Sequence, residues 1–199
     1  MDPAHKSPRV TIASMNDDPE IERRLQDGSA PRRPQDLFDR LDALGVGYVT
    51  TTHDPAFTVE QAKAVRGVMA GAHSKNLFLR NKKGRMWMLT CLEDRQLDLK
   101  TLGAQVGAGS GGMSFASADR LMRFLGVIPG AVTPFAVIND ISGSVSVVLD
   151  EAMLGREPLN FHPLDNSMTT AISASGLLRF LRACHHAPTI VDLEPYLRT

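Results

Sequence analysis

Cysteine is scarce in this sequence, which has only Cys91 and Cys184 among its 199 residues. The two lie far apart inside apolar segments, so they indicate core thiols in a reducing compartment rather than a disulfide framework. No apolar run approaches the roughly 18 to 20 residues that a helix needs to span a bilayer. The first residues also contain no continuous apolar region of the signal-peptide type. We therefore expect a cytoplasmic protein without a membrane partner.

An excess of charge of one sign is also lacking, because 22 Lys and Arg residues balance 22 Asp and Glu residues. A net charge of zero argues against a dedicated nucleic-acid-binding domain, whose basic footprint is strong. It does not exclude a local basic patch. The sequence also contains no helix-turn-helix signal, so DNA is not an expected partner.

Several motifs of catalysis and cofactor binding are absent from the sequence. It contains no GxxxxGK[ST] loop, no GxGxxG between a strand and a helix, no GxSxG elbow, no HExxH and no paired CxxC. The glycine-rich stretch 107–114 follows a helical pattern, and we interpret it as a connector rather than a nucleotide cradle. The sequence thus disfavours a covalent hydrolase, and it predicts neither a cofactor nor a metal site.

The chain divides into three parts by composition. Residues 1–33 are rich in proline and charge and have little apolar periodicity, which indicates a flexible N-terminal extension. Residues 34–184 show alternating helical and strand patterns and form the expected domain. Residues 185–199 have no firm assignment, so we treat them as a C-terminal tail.

Apolar periodicity in the middle part predicts a mixed α/β (α+β) fold with a mixed or largely antiparallel sheet. The expected helices are 34–46, 58–71, 98–107, 117–127 and one capped by Ser173 or Ser175. The expected strands are 47–53, 75–82, 85–92, 134–140 and 144–150, with a short extended piece at 159–164. Short turns suggest hairpins between 75–82 and 85–92 and between 134–140 and 144–150.

Two short segments carry candidate side chains. Lys75 and Asn76 stand at the mouth of an apolar strand, where a lysine can offer its charge to a phosphate or carboxylate. A solvated lysine at the start of a strand explains the same pattern. His162 is restrained between Phe161 and Pro163. It is a candidate for binding a ligand or water, and a structural histidine is the alternative.

A third segment, GAVTP from Gly130, is a candidate because of its backbone. Gly130 permits a positive φ or a close approach of the chain, and Pro134 pushes Thr133 toward an extended conformation. The N–H groups of Ala131, Val132 and Thr133 could then polarise a carbonyl or hold a water. A plain loop between a helix and a strand explains the spacing equally well.

Three segments occur in the same order as the motifs of the YbaK/ProX-type aminoacyl-tRNA editing domains, which this chain resembles: SKNLFLRNKKG, LGVIPGAVTPFAVIND and LNFHPLDNSMTTAIS. The resemblance covers about residues 34–184. The KN pair and the NFHP segment look most like the freestanding branch that clears alanine from tRNA(Pro). The resemblance implies a single domain with a curved, mixed, largely antiparallel sheet flanked by helices. It also implies hydrolysis of a mischarged aminoacyl ester, without a cofactor.

The resemblance assigns roles to particular residues. The implied catalytic loop, which orients the carbonyl and the attacking water, consists of Gly130, Ala131, Val132, Thr133 and Pro134. Lys75 would anchor the terminal phosphate or ribose, while Asn76 and His162 would position the substrate. Phe78 and Phe135 are candidates for a pocket wall that excludes proline by size. The implied partners are the acceptor end of a mischarged tRNA and, in addition, prolyl-tRNA synthetase.

Two alternatives remain open at this point. One is a sibling activity that clears Cys-tRNA(Pro) or a tRNA mischarged with serine or threonine. The other is a module that grips the acceptor end of tRNA without hydrolysing the ester. A panel of mischarged tRNAs separates these alternatives from clearance of alanine.

Overall fold

The structure is a computed structural model that describes residues 23–54 and 70–198. The helix predicted over 58–71 lies almost entirely outside the described residues. Within the described ranges, no helix has both the length and the apolar character needed to cross a membrane.

Five α-helices are present in the described part of the chain: α1 Pro34–Ala43, α2 Leu99–Gln105, α3 Ala118–Leu125, α4 Glu151–Leu154 and α5 Ala174–Ala183. Their ends follow local chemistry. Pro34 occupies the first turn of α1, while the side chains of Ser117 and Ser173 accept backbone hydrogen bonds at the N-termini of α3 and α5. The short helix α4 is the one that periodicity did not predict.

Among the described residues, eight strands form one mixed sheet in the order β1-β7-β6-β2-β3-β5-β8, and β4 pairs with β2. The strands are β1 Tyr48–Thr52, β2 Ala72–Arg80, β3 Met86–Leu92, β4 Ser114–Phe115, β5 Val145–Asp150, β6 Leu159–Phe161, β7 Met168–Ile172 and β8 Thr189–Val191. The β2–β3 hairpin is antiparallel, as predicted. Parallel pairs join β6 to β2, β3 to β5 and β5 to β8.

The two faces of the sheet bury two separate hydrophobic clusters. Side chains alternate between the faces of a strand, and in β2 Phe78 belongs to the first cluster while Leu79 belongs to the second. The first cluster is the larger, and it includes buried side chains of α1, α3 and α5. The second cluster includes Leu102 of α2 and Leu193 near the C-terminus.

The segment 134–140 is not the predicted strand, because Pro134–Asn139 form a 3-10 helix. The side chains from Pro134 to Val137 are all buried. A continuous apolar run of this kind shows no alternation, so periodicity cannot distinguish a buried helix from a buried strand. The predicted hairpin with 144–150 is therefore also wrong. β5 pairs instead with β3 and β8, in parallel with both.

Both ends of the described chain differ from the expected flexible extension and tail. Leu25 is buried, the N–H of Gln26 donates to the carbonyl of Arg123 at 2.7 Å, and Arg32 donates to the Asn139 side chain. At the other end, β8 joins the sheet and Leu193 is fully buried. The expectation of a flexible extension and a tail therefore does not hold for 23–33 or for most of 185–199. Both segments are too short for apolar periodicity to reveal that they pack on the domain.

Candidate active site

A type II turn forms the first half of the GAVTP loop. The N–H of Ala131 donates to the carbonyl of Ile128 at 3.0 Å, with Pro129 and Gly130 at the two central positions. Gly130 has a φ of +91°, which the third residue of a type II turn requires and which glycine adopts without strain. The sequence IPGA therefore determines the entry to the loop.

Thr133 and Pro134 form the second half of the loop. Thr133 is extended, with a φ of −155°, as expected for a residue before proline. Its hydroxyl accepts a hydrogen bond from the N–H of Phe135 at 3.3 Å and so caps the 3-10 helix. Thr133 is fully buried. The loop is thus held by a turn at one end and by a capped helix at the other.

Not all N–H groups of the loop are free to bind a substrate. That of Ala131 is used inside the turn, so the expectation of three available donors is wrong for this residue. In the described part of the chain, no hydrogen bond engages the N–H groups of Val132 and Thr133. Thr133 is the fully buried one of the two, and a buried donor without a partner costs about 1 to 3 kcal/mol. A bound oxygen atom would remove that cost.

Asn76 projects from β2 on the side of the first cluster, where the loop packs. Its Oδ1 accepts a hydrogen bond from the hydroxyl of Thr90 at 2.9 Å, and Thr90 is fully buried on the paired strand. Ala131 and Val132 of the loop pack into or against the same cluster. Because Oδ1 is held by Thr90, the amide NH₂ is the group with which Asn76 can address a ligand.

Lys75 projects from the opposite face of β2. Its ammonium group donates to the backbone carbonyl of Arg95. It also lines a cavity of about 250 Å³ whose apolar walls belong mainly to the second cluster: Leu77, Leu97 and Leu99 with Phe115, beside Arg95, Gln96 and Arg198. The structure therefore does not bring the Lys75 side chain to the face of the sheet on which the loop packs.

His162 immediately follows β6, which runs parallel to β2. Ala72 pairs with Leu159, and continuing this register brings His162 level with Lys75. The Nδ1 of His162 lies 2.9 Å from the carbonyl of Met168, so this nitrogen carries the proton. The ring centroid lies 6.3 Å from that of His53.

The sequence reasoning assigned no role to His53, although it neighbours His162. Its Nε2 lies 2.9 Å from the hydroxyl of Thr169, and its Nδ1 lies 2.8 Å from the carbonyl of Asp54. β1 and β6 both pair with β7, and these two pairings bring His53 and His162 together. A lone histidine at a strand end gives no signal of its own, and only knowledge of strand pairing could have identified this neighbour.

Phe78 and Phe135 are part of the hydrophobic core. Their exposed fractions are 4% and 0%, and the Phe135 ring makes edge-on contacts with Phe161 and Phe180 at 5.7 and 5.3 Å between centroids. Their surroundings are packed side chains rather than the expected open pocket wall. Val132 is partly buried against the same cluster, at the loop itself.

Cys91 does not have the character of a catalytic nucleophile. The side chain is fully buried in the second cluster. Burial raises the pKa of its thiol to about 12, although the nearby charge of Lys75 acts in the opposite direction. The reactive form of cysteine is the thiolate, so this residue remains a neutral thiol at physiological pH.

Comparisons with known proteins identify the family. The family described as "Aminoacyl-tRNA editing domain" matches residues 53–180. The chain is 39% identical over 162 residues to the mouse prolyl-tRNA synthetase associated domain-containing protein 1, covering 80% of this chain and 95% of that protein. It is also 39% identical over 150 residues to the prolyl-tRNA editing protein ProX of Acetoanaerobium sticklandii, covering 75% of this chain and 90% of the relative.

A solved structure supports the same fold. It is described as a candidate trans-editing enzyme for prolyl tRNA synthetase, and it superposes with a TM-score of 0.62 at 20% identity. The superposition covers 83% of this chain and 98% of that one. At this identity the likeness concerns the fold alone, while the family follows from the sequence matches. The chain belongs to the aminoacyl-tRNA editing domain family and is an aminoacyl-tRNA deacylase.

Proposed function

We propose that this chain is a trans-editing enzyme that removes alanine from mischarged tRNA(Pro). The observation that carries the proposal is the GAVTP loop, whose N–H groups at Val132 and Thr133 have no partner among the described residues. The name of the ProX relative, a prolyl-tRNA editing protein, supports tRNA(Pro) as the carrier. The KN and NFHP segments, which resemble the alanine-clearing branch, support alanine as the amino acid.

The proposed reaction is attack by water on the carbonyl carbon of the ester. The carbonyl becomes an oxyanion, the bond to the ribose oxygen then breaks, and a proton returns to that oxygen, giving free alanine and tRNA. Backbone donors aimed at a developing oxyanion contribute roughly 3 to 4 kcal/mol each in measured cases, so the amides of Val132 and Thr133 are well suited to this step. The 2′-OH of the terminal adenosine assists the proton transfer.

The remaining candidate residues bind and orient the substrate. In the proposal the NH₂ of Asn76 and the His162 ring position the aminoacyl group, and Lys75 anchors a phosphate or ribose oxygen. Because the Lys75 side chain lies on the other face of β2, its place is along the path of the tRNA rather than at the reacting carbonyl. Orientation of this kind can contribute several kcal/mol to the reduction of the barrier.

Selection by size completes the proposal. A site that fits alanine can exclude the larger proline sterically, whereas a synthetase that must accept proline rejects the smaller alanine by only about 1 to 3 kcal/mol. The half-buried Val132, next to the proposed donors, is a wall residue in this scheme. The name of the mouse relative supports prolyl-tRNA synthetase as a partner. We also propose that the protein acts in the cytoplasm.

The test is a panel of tRNA(Pro) substrates charged with alanine, cysteine, serine or proline. We expect release of alanine and retention of proline, measured as loss of the labelled ester over its spontaneous hydrolysis. Cleavage of the cysteinyl or seryl ester with the alanyl ester left intact would assign the sibling activity instead. Binding of tRNA without release of any amino acid would favour the non-hydrolytic binding module.

A further inference from the structure

A basic surface lies at the turn of the β2–β3 hairpin, away from the proposed site. Here the turn meets the glycine-rich loop 107–112 around a cavity of about 420 Å³. Lys82, Lys83 and Arg85 line this cavity, and none of the described residues that line it is acidic. We call these three residues and the loop 107–112 the hairpin surface. In a chain with no net charge, this is a local excess of positive charge.

The hairpin surface is built on a buried side chain. Asn81 is 6% exposed, and its Oδ1 accepts hydrogen bonds from the N–H groups of Lys83 and Arg85, both at 3.0 Å. Its Nδ2 donates to the carbonyl of Ala108 at 2.9 Å, and the Arg85 guanidinium donates to Gly107 at 3.3 Å. One asparagine thus fixes the basic turn and the glycine-rich loop against each other.

The glycine-rich loop adds backbone donors to these charges. Gly109 and Gly112 have φ values of +88° and +69°, and the side-chain stem of Lys82 passes close to Gly111. Among the described residues, no hydrogen bond engages the N–H groups of Gly109, Ser110 and Gly111. Successive free N–H groups in a glycine turn form a concavity that suits an anion.

The hairpin surface lies on the same face of the hairpin as Lys75. The chain at the start of α2 connects them, because Leu99 lines the Lys75 cavity while Lys100 packs directly against Gly112. The six residue steps from Lys75 to Asn81 along an extended strand span roughly 20 Å. Positive groups therefore recur along one face, from Lys75 and Arg198 past Lys100 to the hairpin surface.

We propose that the hairpin surface binds phosphates of the tRNA acceptor arm beyond the 3′ end that enters the site. The proposal rests on the proposed function for the identity of the anion. A polyanion with regularly spaced phosphates matches a row of separated cations, and lysine contacts to phosphate position a nucleic acid without reading its sequence. The surface thus supplies affinity for the tRNA body, while the loop selects the amino acid.

The test is the double variant Lys82→Gln/Lys83→Gln, in which Arg85 is kept because it holds Gly107 and covers the Trp87 ring. We expect the Kd for uncharged tRNA(Pro) to rise about tenfold at 50 mM salt and to approach that of the wild type at 200 mM. Loss of two phosphate contacts lowers the slope of log K against log salt by roughly two. Circular dichroism melting verifies that the variant folds.

The matched control is Arg179→Gln/Arg182→Gln, which removes the same charge from exposed positions of α5, a helix that packs on the other face of the sheet. We expect its tRNA affinity to match that of the wild type. Equal losses in both variants, or wild-type affinity in the lysine variant, would overturn the proposal.

A second substrate separates this proposal from the proposed function. An alanyl dinucleotide is too short to reach the hairpin surface, so the lysine variant should cleave it at the wild-type rate while its kcat/KM for Ala-tRNA(Pro) falls. If the wild-type protein cleaves neither substrate, the proposed function is refuted. The hairpin surface is still tested in that case, by the binding measurement with uncharged tRNA. If the lysine variant loses as much activity on the alanyl dinucleotide as on Ala-tRNA(Pro), the proposal that the hairpin surface binds the tRNA body is overturned.

Discussion

At the residue scale, Gly130 is the position at which backbone conformation and proposed chemistry meet. Its φ of +91° lies in the region that alanine adopts only at a cost of about 1 kcal/mol or more. We expect Gly130→Ala to lower the free energy of unfolding by about that amount. We also expect kcat for Ala-tRNA(Pro) to fall 10²- to 10³-fold, the effect of misplacing one oxyanion donor. Single-turnover deacylation and urea unfolding measure the two effects.

Gly28→Ala is the control for this variant. Gly28 has a similar φ of +82°, and a Cβ added there would meet no atom within 4 Å. It should therefore show a similar loss of stability with unchanged kcat. Equal activity in the two variants would argue against a catalytic role of the GAVTP loop.

The sequence is informative about single residues only where backbone rules apply. IPGA predicts its turn, because proline and glycine restrict φ directly. Lys75 and Asn76 are neighbours in the sequence, yet strand alternation directs them to opposite faces of β2. The same local turn engages the Ala131 N–H, whereas the approach of His53 to His162 depends on pairing between distant segments.

At the element scale, the 3-10 helix Pro134–Asn139 links the loop to the core, and Asp140 anchors its end. Asp140 is 3% exposed. Its carboxylate accepts hydrogen bonds from the N–H groups of Ser144 and Val145, the hydroxyl of Ser142 and the ring of His186. The other ring nitrogen of His186 faces the carbonyl of Cys184 at 2.6 Å. Each ring nitrogen of His186 therefore faces an oxygen atom.

This anchor makes stability depend on pH. Burial by itself would raise the pKa of Asp140, but the hydrogen bonds from His186 and the backbone outweigh burial and hold the pKa below its ordinary value. The ionised carboxylate therefore stabilises the fold above the unfolded pKa, and this contribution is lost as the pH falls through the lower folded pKa. We expect Asp140→Asn to cost about 3 kcal/mol at pH 7 and less at acidic pH, as measured by urea unfolding at both.

Asp119→Asn is the comparison for the anchor. Asp119 is exposed, and its oxygen lies 3.9 Å from Arg123 one turn along α3. Exposed pairs of this kind contribute about 0.5 kcal/mol or less, so this variant should show little change at either pH. A constant loss for Asp140→Asn across the pH range would contradict the role of the carboxylate charge.

The helices with clear caps were predictable as elements, whereas the apolar run PFAVIN was not. Thr133 and Pro134 explain why it coils, since the threonine hydroxyl caps the first turn and the proline has a φ suited to it. Burial of five of its six residues removes the alternation on which strand prediction depends. Whether such a buried segment forms a helix or a strand is decided by its tertiary contacts.

At the scale of the whole molecule, β2 and β3 organise two cores that lie on opposite faces of one sheet. The first core supports the loop, and the second supports the face that carries Lys75 and the hairpin surface. The sequence predicted the mixed fold and most helices, because local periodicity encodes them. It could not predict the parallel placement of β5 and β8 beside β3, since pairing between distant strands has no local signal.

The C-terminal segment tests this view of the second core. Leu193 is fully buried there, after β8, whereas Ile190 within β8 is 45% exposed. We expect Leu193→Ala to lower the free energy of unfolding by about 2 to 5 kcal/mol, the usual range for a buried leucine. Ile190→Ala should cost less than about 1 kcal/mol, because little surface is lost from the core.

Equal and small effects in urea unfolding would mean that the chain after α5 is a dispensable tail. A large effect of Leu193→Ala alone would make the C-terminal segment an integral part of the second core, and so of the face that carries Lys75 and the hairpin surface.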